Sequence, residues 1–261
     1  MTDSSLVDRV VLVTGASRGI GREMALALLE AGARVAVLAS RDSPQLQQTL
    51  RMAGERNASH RVIPVIADVR EQQACEGAVA RVCEAFGALH VLVNNAAIPA
   101  AGEGDRFWEI DPDHWRRTIG TNVDGVFWMS RAAAPVMIAQ GFGKIINIST
   151  SERTMVRERG APYGPSKAFM DALSRVAAQD LAGAGVSVNV LAPGGAIDTL
   201  ADVTGAATPG RSFQPISVMR GPILWLASDL SNGHSGERFV ARLWDETLPI
   251  DQRVATARQS G

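Results

Sequence analysis

The sequence is short of the residues that mark disulfide-stapled, metal-binding or membrane-spanning proteins. It contains two cysteines, Cys75 and Cys83, and on a helix they would lie about 12 Å apart, too far for a disulfide. The four histidines are scattered without the spacing of metal ligands, so no metal site is predicted. The apolar runs, such as residues 132–139, are much shorter than the roughly 20 residues of a membrane span.

Neither sign of charge is in excess. The net charge is −1, and basic and acidic residues are mixed along the chain, so no nucleic-acid partner is expected. The first residues include Asp3 and Asp8 and no apolar run typical of a signal peptide. Together with the few cysteines, this predicts a reduced cytoplasmic protein without a membrane partner. A hydrophobic content of 46% supports a sizeable core, and residues 1–261 are expected to form one domain.

The single tyrosine of the sequence, Tyr163, opens a segment of helical periodicity that runs to about Leu181. Lys167 follows four residues later and would share a helix face with it. An ammonium beside a phenol favours the phenolate and lowers the phenol pKa, so the phenol can exchange a proton with a carbonyl or alcohol oxygen. A surface tyrosine at an ordinary helix start would have the same spacing, and the remaining motifs decide between these interpretations.

A glycine-rich turn separates the first predicted strand, residues 10–13, from a predicted helix, residues 22–30. Glycines permit a tight turn and close approach of a ligand to the backbone, while the helix N-terminus offers N–H groups to a pyrophosphate. The strand–turn–helix context favours a dinucleotide-binding site over a glycine-rich turn that has no functional role. The residues expected to contact the cofactor here are Gly15, Ser17, Arg18, Gly19, Ile20 and Gly21.

The end of the second predicted strand, residues 34–39, bears on the choice of cofactor. An acidic residue here would hold the ribose 2′-hydroxyl of NAD, but Ser40 and Arg41 follow the strand and Asp42 comes only after them. Ser40 and Arg41 could instead meet a 2′-phosphate, with Arg18 as a second cation. The pattern favours NADP(H), with NAD(H) the less favoured cofactor, unless both arginines are simply solvated.

Strands and helices alternate along the whole chain. Such alternation predicts an α/β fold with a single doubly wound, Rossmann-type parallel sheet of about seven strands and helices on both faces. The motifs follow strand ends, the edge where ligands bind in such sheets. The predicted strands are residues 10–13, 34–39, 62–67, 89–93, 144–148, 186–191 and 238–243, and long helices are predicted at residues 115–137 and 163–181.

The order and spacing of the motifs resemble those of the short-chain dehydrogenase/reductase family over nearly the whole chain. The motifs are Thr14-Gly15-x-x-x-Gly19-x-Gly21, Asp68, Asn94-Asn95-Ala96, Asn122, Tyr163-x-x-x-Lys167 and Pro193-Gly194. The resemblance implies an NADP(H)-dependent oxidoreductase that interconverts a ketone or aldehyde and an alcohol. It also implies a homo-oligomer, either a dimer or a tetramer.

The resemblance further implies roles for individual residues. Tyr163 would be the general acid/base, Lys167 would lower its pKa and bind the nicotinamide ribose, and Asn122 would hold a water that links Lys167 to solvent. Asp68 and Val69 would contact the adenine. The remaining residues expected to line the cofactor site are Asn95, Ala96, Ala97, Pro193, Gly194, Ile197 and Thr199.

Three features depart from the family pattern. The substrate-binding serine of the family falls on Thr150, which keeps the hydroxyl, with Ser149 and Ser151 as alternatives if the register shifts. The segment after Pro193 is one residue longer than usual, which affects the contacts of residues 197 and 199. The chain also lacks the family's Val-Asp-Gly-Gly segment near its end, which bears on the assembly.

A second function is compatible with these departures. The protein could be a regulator or scaffold that binds NADP on the same fold but has lost turnover, although only Thr150 favours this. The substrate is not fixed by the sequence, and its pocket is expected to be walled by residues 98–108, 152–160 and 198–215. The charged segment 152–159 could receive a substrate carboxylate or phosphate, or could be a solvated loop with internal ion pairs, which is the simpler interpretation.

Overall fold

The computed structural model describes residues 6–100, 104–197 and 213–259. They form one eight-stranded sheet with the order β3-β2-β1-β4-β5-β6-β7-β8, in which the first seven strands are parallel and β8 is antiparallel to β7. The strands are β1 Val10–Thr14, β2 Arg34–Ala39, β3 Val62–Ile66, β4 Val91–Asn94, β5 Gly143–Ile148, β6 Val186–Ala192, β7 Arg238–Val240 and β8 Arg258–Gln259.

The helices pack on both faces of this sheet, so the predicted doubly wound α/β architecture is confirmed. Helices α1, α2, α8 and α9 contribute buried residues to one core, and α3, α5 and α7 to the other. The helices are α1 Gly19–Glu30, α2 Pro44–Glu55, α3 Gln72–Phe86, α4 Pro112–Ile119, α5 Gly125–Gln140, α6 Glu152–Met155, α7 Tyr163–Asp180, α8 Arg220–Ala227 and α9 Ile250–Ala257.

Continuous apolar runs in the strands explain why two cores form. In β1, Val11 and Val13 belong to the core under α1, while Val10 and Leu12 belong to the core under α3. Side chains alternate between the faces of a strand, so a strand buried on both sides must be apolar throughout. The sheet order reverses between β1 and β4, which opens a crevice at the C-terminal ends of these strands.

Three details differ from the elements predicted by the sequence. The helix predicted at residues 115–137 is divided by a π-helical turn, Gly120–Asp124, between α4 and α5. The sheet has an eighth strand, β8, and the predicted seventh strand ends at Val240 in a short 3₁₀ turn. Among the described residues, no helix is both long and apolar enough to cross a bilayer.

Candidate active site

The glycine turn lies at the crevice between β1 and β4. Gly15 has a φ of +64°, and a Cβ there would stand 2.8 Å from the Ala96 Cα. At Gly21, a Cβ would meet the Gly15 carbonyl oxygen and stand 2.5 Å from Asn95 Nδ2. Both positions therefore require glycine, because the turn packs directly against the end of β4.

Asn95 ties that turn to β4. Its Nδ2 donates to the carbonyl oxygens of Thr14 and Gly15 at 2.9 and 3.1 Å. The hydroxyl of Thr14 in turn accepts from the backbone N–H groups of Asn95 and Ala96 at 2.9 and 3.0 Å. The Asn95 side chain thus fixes the floor of the crevice, a role beyond the lining position that the family resemblance implied for it.

Two arginines stand exposed at the outer end of the crevice. Arg18 precedes α1 and Arg41 follows β2, and neither has a polar partner among the described residues. Asp42 is directed elsewhere, since its Oδ1 accepts from Gln47 Nε2 at 2.7 Å. Ser40 lines the crevice beside Arg41. The end of β2 therefore presents a cation and a hydroxyl.

Asp68 follows β3 and is paired with an arginine that the sequence motifs did not include. Arg70 Nη2 lies 2.5 Å from Asp68 Oδ2, and the Arg70 backbone N–H donates to Oδ1 at 3.0 Å. Hydrogen bonding to Arg70, against the effect of burial, lowers the pKa of Asp68 below its usual value. Val69 is buried beside it and also lines the crevice.

Asn122 sits in the π-helical turn and is fully buried. Its Oδ1 accepts from Ile98 N at 2.8 Å, and its Nδ2 donates to Ile98 O at 3.1 Å and to Ser166 Oγ at 3.0 Å. Asn122 therefore joins the segment after β4 to helix α7. Isolated π turns within α-helices occur often at functional sites.

Thr150 lines the same crevice as Tyr163, and its hydroxyl lowers the pKa of the Tyr163 phenol. The alternative serines are engaged elsewhere. Ser149 Oγ donates to Asp171 Oδ1 at 2.5 Å, and Ser151 caps α6 by accepting from Thr154 N at 3.2 Å. The geometry thus brings Thr150, and not its neighbours, to the tyrosine.

Lys167 shares a helix face with Tyr163, and its Nζ lies 5.9 Å from the centre of the Tyr163 ring. The Nζ donates to the Ile148 carbonyl oxygen at 2.7 Å. Burial lowers the pKa of Lys167 to about 8, while the Asp171 carboxylate acts in the opposite direction. The ammonium is buried behind the tyrosine.

The predicted decrease in the pKa of Tyr163 is not found in this structure. Burial raises the pKa of Tyr163 and is the largest influence on it, whereas the Thr150 hydroxyl and the Arg157 charge lower it. A phenolate is poorly solvated in such a place, so burial outweighs the charges. The expectation that the charges would win is therefore corrected.

The crevice has a volume of about 940 Å³, near the upper end of small-molecule sites. Most of the predicted residues line it, except Gly194, which packs against β7, and Asn122, which lies behind the wall. Thr199 lies outside the described residues. Lining residues that the motifs did not single out include Ser43, Gln45, Arg70, Pro99, Arg117 and Thr121.

A second cavity of about 220 Å³ adjoins Tyr163 on the other side. Its polar lining comes from Asp105, His114 and Arg159, the last of which belongs to the charged segment 152–159. Arg153 and Arg157 in that segment are exposed, and Arg157 also acts on the Tyr163 phenol. Of the three predicted pocket walls, residues 198–212 lie outside the described residues.

The crevice fits a nicotinamide dinucleotide. The Gly15 and Gly21 positions leave no room for a Cβ where the backbone forms the cradle, and the twelve-residue helix α1 begins at the crevice without a side-chain cap from Arg18. A helix N-terminus beside a glycine turn binds pyrophosphate through its N–H groups and its dipole. Tyr163, Thr150 and Lys167 lie in the same crevice.

Comparison with known proteins gives one consistent family. The family model for short chain dehydrogenases matches residues 9–207. The short chain dehydrogenase/reductase AstE of Aspergillus oryzae is 31% identical over 245 residues, which cover 89% of this chain and 92% of that protein.

Solved structures agree with this assignment. A gluconate 5-dehydrogenase from Burkholderia cenocepacia, in complex with NADP and tartrate, has a TM-score of 0.80 at 29% identity, covering 91% of this chain and 95% of the other. An NAD⁺-bound xylitol dehydrogenase has a TM-score of 0.78 at 27% identity, covering 89% and 97%. The chain therefore belongs to the short-chain dehydrogenase/reductase family of oxidoreductases.

Proposed function

We propose that this enzyme interconverts a ketone or aldehyde and an alcohol with NADP(H), using Tyr163 as its general acid/base. The observation that carries the proposal is the convergence of Tyr163, Thr150 and Lys167 at the inner end of a dinucleotide-sized crevice. The bound cofactor would supply the hydride in reduction and accept it in oxidation. The side chains supply the proton, the orientation and the electrostatics.

Each side chain has a separate task in this proposal. In reduction, the Tyr163 phenol donates its proton to the carbonyl oxygen, and in oxidation the phenolate takes the alcohol proton. The Thr150 hydroxyl, which lines the crevice with the phenol, would orient the oxygen that receives this proton. The Lys167 ammonium stabilises the phenolate that the transfer leaves behind, and Asn122 fixes α7 against the segment after β4.

The residues that would hold the cofactor follow the crevice from end to end. Arg18, Ser40 and Arg41 would receive a 2′-phosphate, since exposed cations whose side chains have no partner in the described part of the chain suit a dianion. The crevice wall would be completed by the glycine turn and by Asp68, Val69, Asn95, Ala96, Ala97, Pro193, Gly194 and Ile197.

The substrate would enter from the 220 Å³ cavity beside Tyr163. Arg159 and His114 in its lining could receive an anionic or hydroxyl-rich group, while the exposed positions of Arg153 and Arg157 suit a solvated segment. The loss-of-turnover alternative relied on Thr150 alone, and the position of Thr150 in the crevice with Tyr163 supports turnover instead.

We also propose self-association in a reducing cytoplasm. Large apolar side chains remain 41–52% exposed on α5 and α7, where they would be covered by a second copy of the chain. Both cysteines are free. Light scattering at micromolar concentration should give the mass of a dimer or tetramer, and a monomeric mass would contradict it. The side chains concerned are Phe127, Ile138, Phe169 and Val176.

The experiment that tests the reaction follows NADPH absorbance with a panel of ketones, aldehydes and polyol-derived carbonyls. Wild-type protein should oxidise NADPH with at least one of them. Tyr163→Phe should bind NADPH about as well and give no turnover, because the hydroxyl alone is lost. NADPH binding without turnover over the whole panel would favour the regulatory alternative.

A further inference from the structure

A buried ion pair lies directly behind the strand end that carries Thr150. Arg238 Nε is 2.9 Å from Asp171 Oδ2, and the two side chains are 10% and 14% exposed. Asp171 lies on α7 one turn after Lys167, while Arg238 begins β7. Neither residue lines the crevice, and none of the motifs in the sequence includes them.

The pair forms hydrogen bonds to the two residues that follow β5. Ser149 Oγ donates to Asp171 Oδ1 at 2.5 Å, and Arg238 Nη2 donates to the carbonyl oxygen of Thr150. Ile148, which precedes these two residues and ends β5, accepts a hydrogen bond from Lys167 Nζ through its carbonyl oxygen. Three successive residues are thus fixed from behind by charged side chains.

Stability alone is a poor explanation for this arrangement. Two buried charges lose their hydration, and a buried pair often contributes no more to stability than an apolar pair of the same size. What the pair supplies is direction, because a guanidinium donates along fixed, planar vectors. Arg238 uses three of its nitrogens, toward Asp171, Thr150 and, at 2.7 Å, the Oε1 of Gln259 on β8.

We propose that Asp171 and Arg238 are positioning residues, which hold the Thr150 hydroxyl beside Tyr163 and set the electrostatic environment of Lys167. The inference rests on the proposed function where turnover is concerned. Its geometric part, the attachment of β7 and β8 to the reacting groups through Arg238, stands on the hydrogen bonds themselves.

The charge around Lys167 follows from the same network. Among the described residues, the titratable groups facing its ammonium are Tyr163 and Asp171 on α7 and, across Asp171, Arg238 on β7, while β5 presents the Ile148 carbonyl oxygen. The Asp171 carboxylate raises the pKa of Lys167 against burial. Arg238 partly neutralises that carboxylate.

Three variants separate the effect of the position of Thr150 from the effect of the charge near Lys167. Asp171→Asn and Arg238→Leu should each lower kcat/KM by about 10- to 100-fold through displacement of Thr150, with NADPH affinity within about twofold of wild type. Arg238→Lys keeps the charge but not the guanidinium geometry, so it should recover the pH dependence more fully than the rate. Arg258→Leu is the matched control, because Arg258 lies on β8, half-exposed, and its ion pair among the described residues is with Glu237 at 3.4 Å.

The decisive readout is the titration of Lys167. Lys144 and Lys167 are the only lysines in the sequence, so ¹³C-lysine NMR in a Lys144→Met background follows Lys167 alone. Asp171→Asn should move its midpoint below about 8, and Arg238→Leu, which leaves the carboxylate unneutralised, should move it above. A merely structural lesion would not shift the midpoint in opposite directions.

These measurements distinguish two kinds of failure. If wild-type protein turns over no carbonyl compound, the proposed function fails. The Lys167 titration still tests whether Asp171 and Arg238 set the electrostatic environment of Lys167. If wild-type protein is active and both variants keep wild-type kcat/KM, or if Lys167 titrates alike in all of them, the positioning inference is overturned. Circular dichroism and NADPH binding identify any variant that fails to fold, in which case the pH profile of kcat/KM for Arg238→Lys provides the comparison.

Discussion

At the scale of single residues, the Tyr163 phenol is governed by two opposing influences. Its burial disfavours the phenolate, and the Thr150 hydroxyl and the Arg157 cation favour it. Lys167 cannot simply oppose burial, because its own charge is disfavoured in the same place. The site thus keeps the proton on Tyr163 and holds the charge on Lys167 only weakly, so that the phenol is protonated, as the proposed proton donor in carbonyl reduction must be.

Because Tyr163 is the only tyrosine, tyrosinate absorbance reports it alone. The transition should lie above the ordinary value of about 10, and Thr150→Ala should move it higher by removing the hydroxyl that favours the phenolate. Thr150→Ser should restore both the transition and turnover, whereas Thr150→Ala should lose most turnover. Ser151→Ala is the matched control, since it removes a neighbouring hydroxyl that caps α6. An active Thr150→Ala protein beside an inactive Ser151→Ala protein would show that the register is wrong.

Arg41 allows a test of cofactor preference. Wild-type protein should bind NADPH more tightly than NADH, because a charged contact to a phosphate contributes about 1.5–3 kcal/mol, or roughly one to two decades of affinity. Arg41→Asp should narrow or reverse this preference in fluorescence titrations. Arg51→Asp changes the net charge equally on the exposed face of α2 and should leave the preference unchanged. Equal or tighter NADH binding by wild-type protein would contradict the NADP assignment.

At the scale of elements, the glycine turn shows how closely β1, α1 and β4 approach one another. A Cβ at Gly21 has no space between the Gly15 carbonyl oxygen and Asn95 Nδ2. Gly21→Ala should therefore displace the start of α1, lower the melting temperature and weaken NADPH binding by at least about tenfold, a loss of 1.4 kcal/mol. Gly77→Ala in α3, where a Cβ would meet nothing within 4 Å, should stabilise the protein by about 0.5–1 kcal/mol. Equal behaviour of the two variants would refute the steric argument.

The elements also show what the sequence can and cannot predict. Strands such as Arg34–Ala39 were predicted correctly because a run buried on both faces is apolar throughout. Helix α2 was missed because only Leu46, Thr49 and Ala53 are buried in it, and β8 because two residues carry no period. The π-helical turn at Asn122 could not be predicted either, since it differs from an α-helix in its backbone hydrogen bonding and not in its pattern of apolar residues.

The same limit applies to the site. Most of the residues that the motifs singled out line one crevice, since strand ends in a parallel sheet meet at one edge. Burial of Tyr163 and Lys167 depends on how α7 packs against β5, so the direction of the Tyr163 pKa could not be read from a four-residue spacing. Asp171 and Arg238 are 67 positions apart in the chain, and only the sheet brings them together.

At the scale of the whole molecule, the chain is unusual in where it places its lysines. The only two, Lys144 and Lys167, are 2% and 3% exposed. Lys144 Nζ donates to Ser231 Oγ and Asn232 Oδ1, both at 2.9 Å. Burial lowers the pKa of both ammonium groups to about 8. The exposed cationic surface of the protein is therefore made of arginine, which does not titrate in this range.

This placement sets how stability changes with pH. In the unfolded chain both lysines keep their protons until the pH approaches their ordinary pKa of 10.5, whereas in the folded protein they release them near pH 8. The unfolded state then binds more protons, so the free energy of unfolding should rise as the pH passes through about 8, by at most about 1.4 kcal/mol per pH unit for each lysine. Above pH 9 the buried Cys75, with its pKa raised to about 11, acts in the opposite direction and flattens the rise.

Urea unfolding of the cofactor-free protein across this range measures the slope, and Lys144→Met should halve it. A flat or falling stability through pH 8, or an unchanged slope in Lys144→Met, would show that these ammonium groups keep their ordinary affinity for protons in the folded protein.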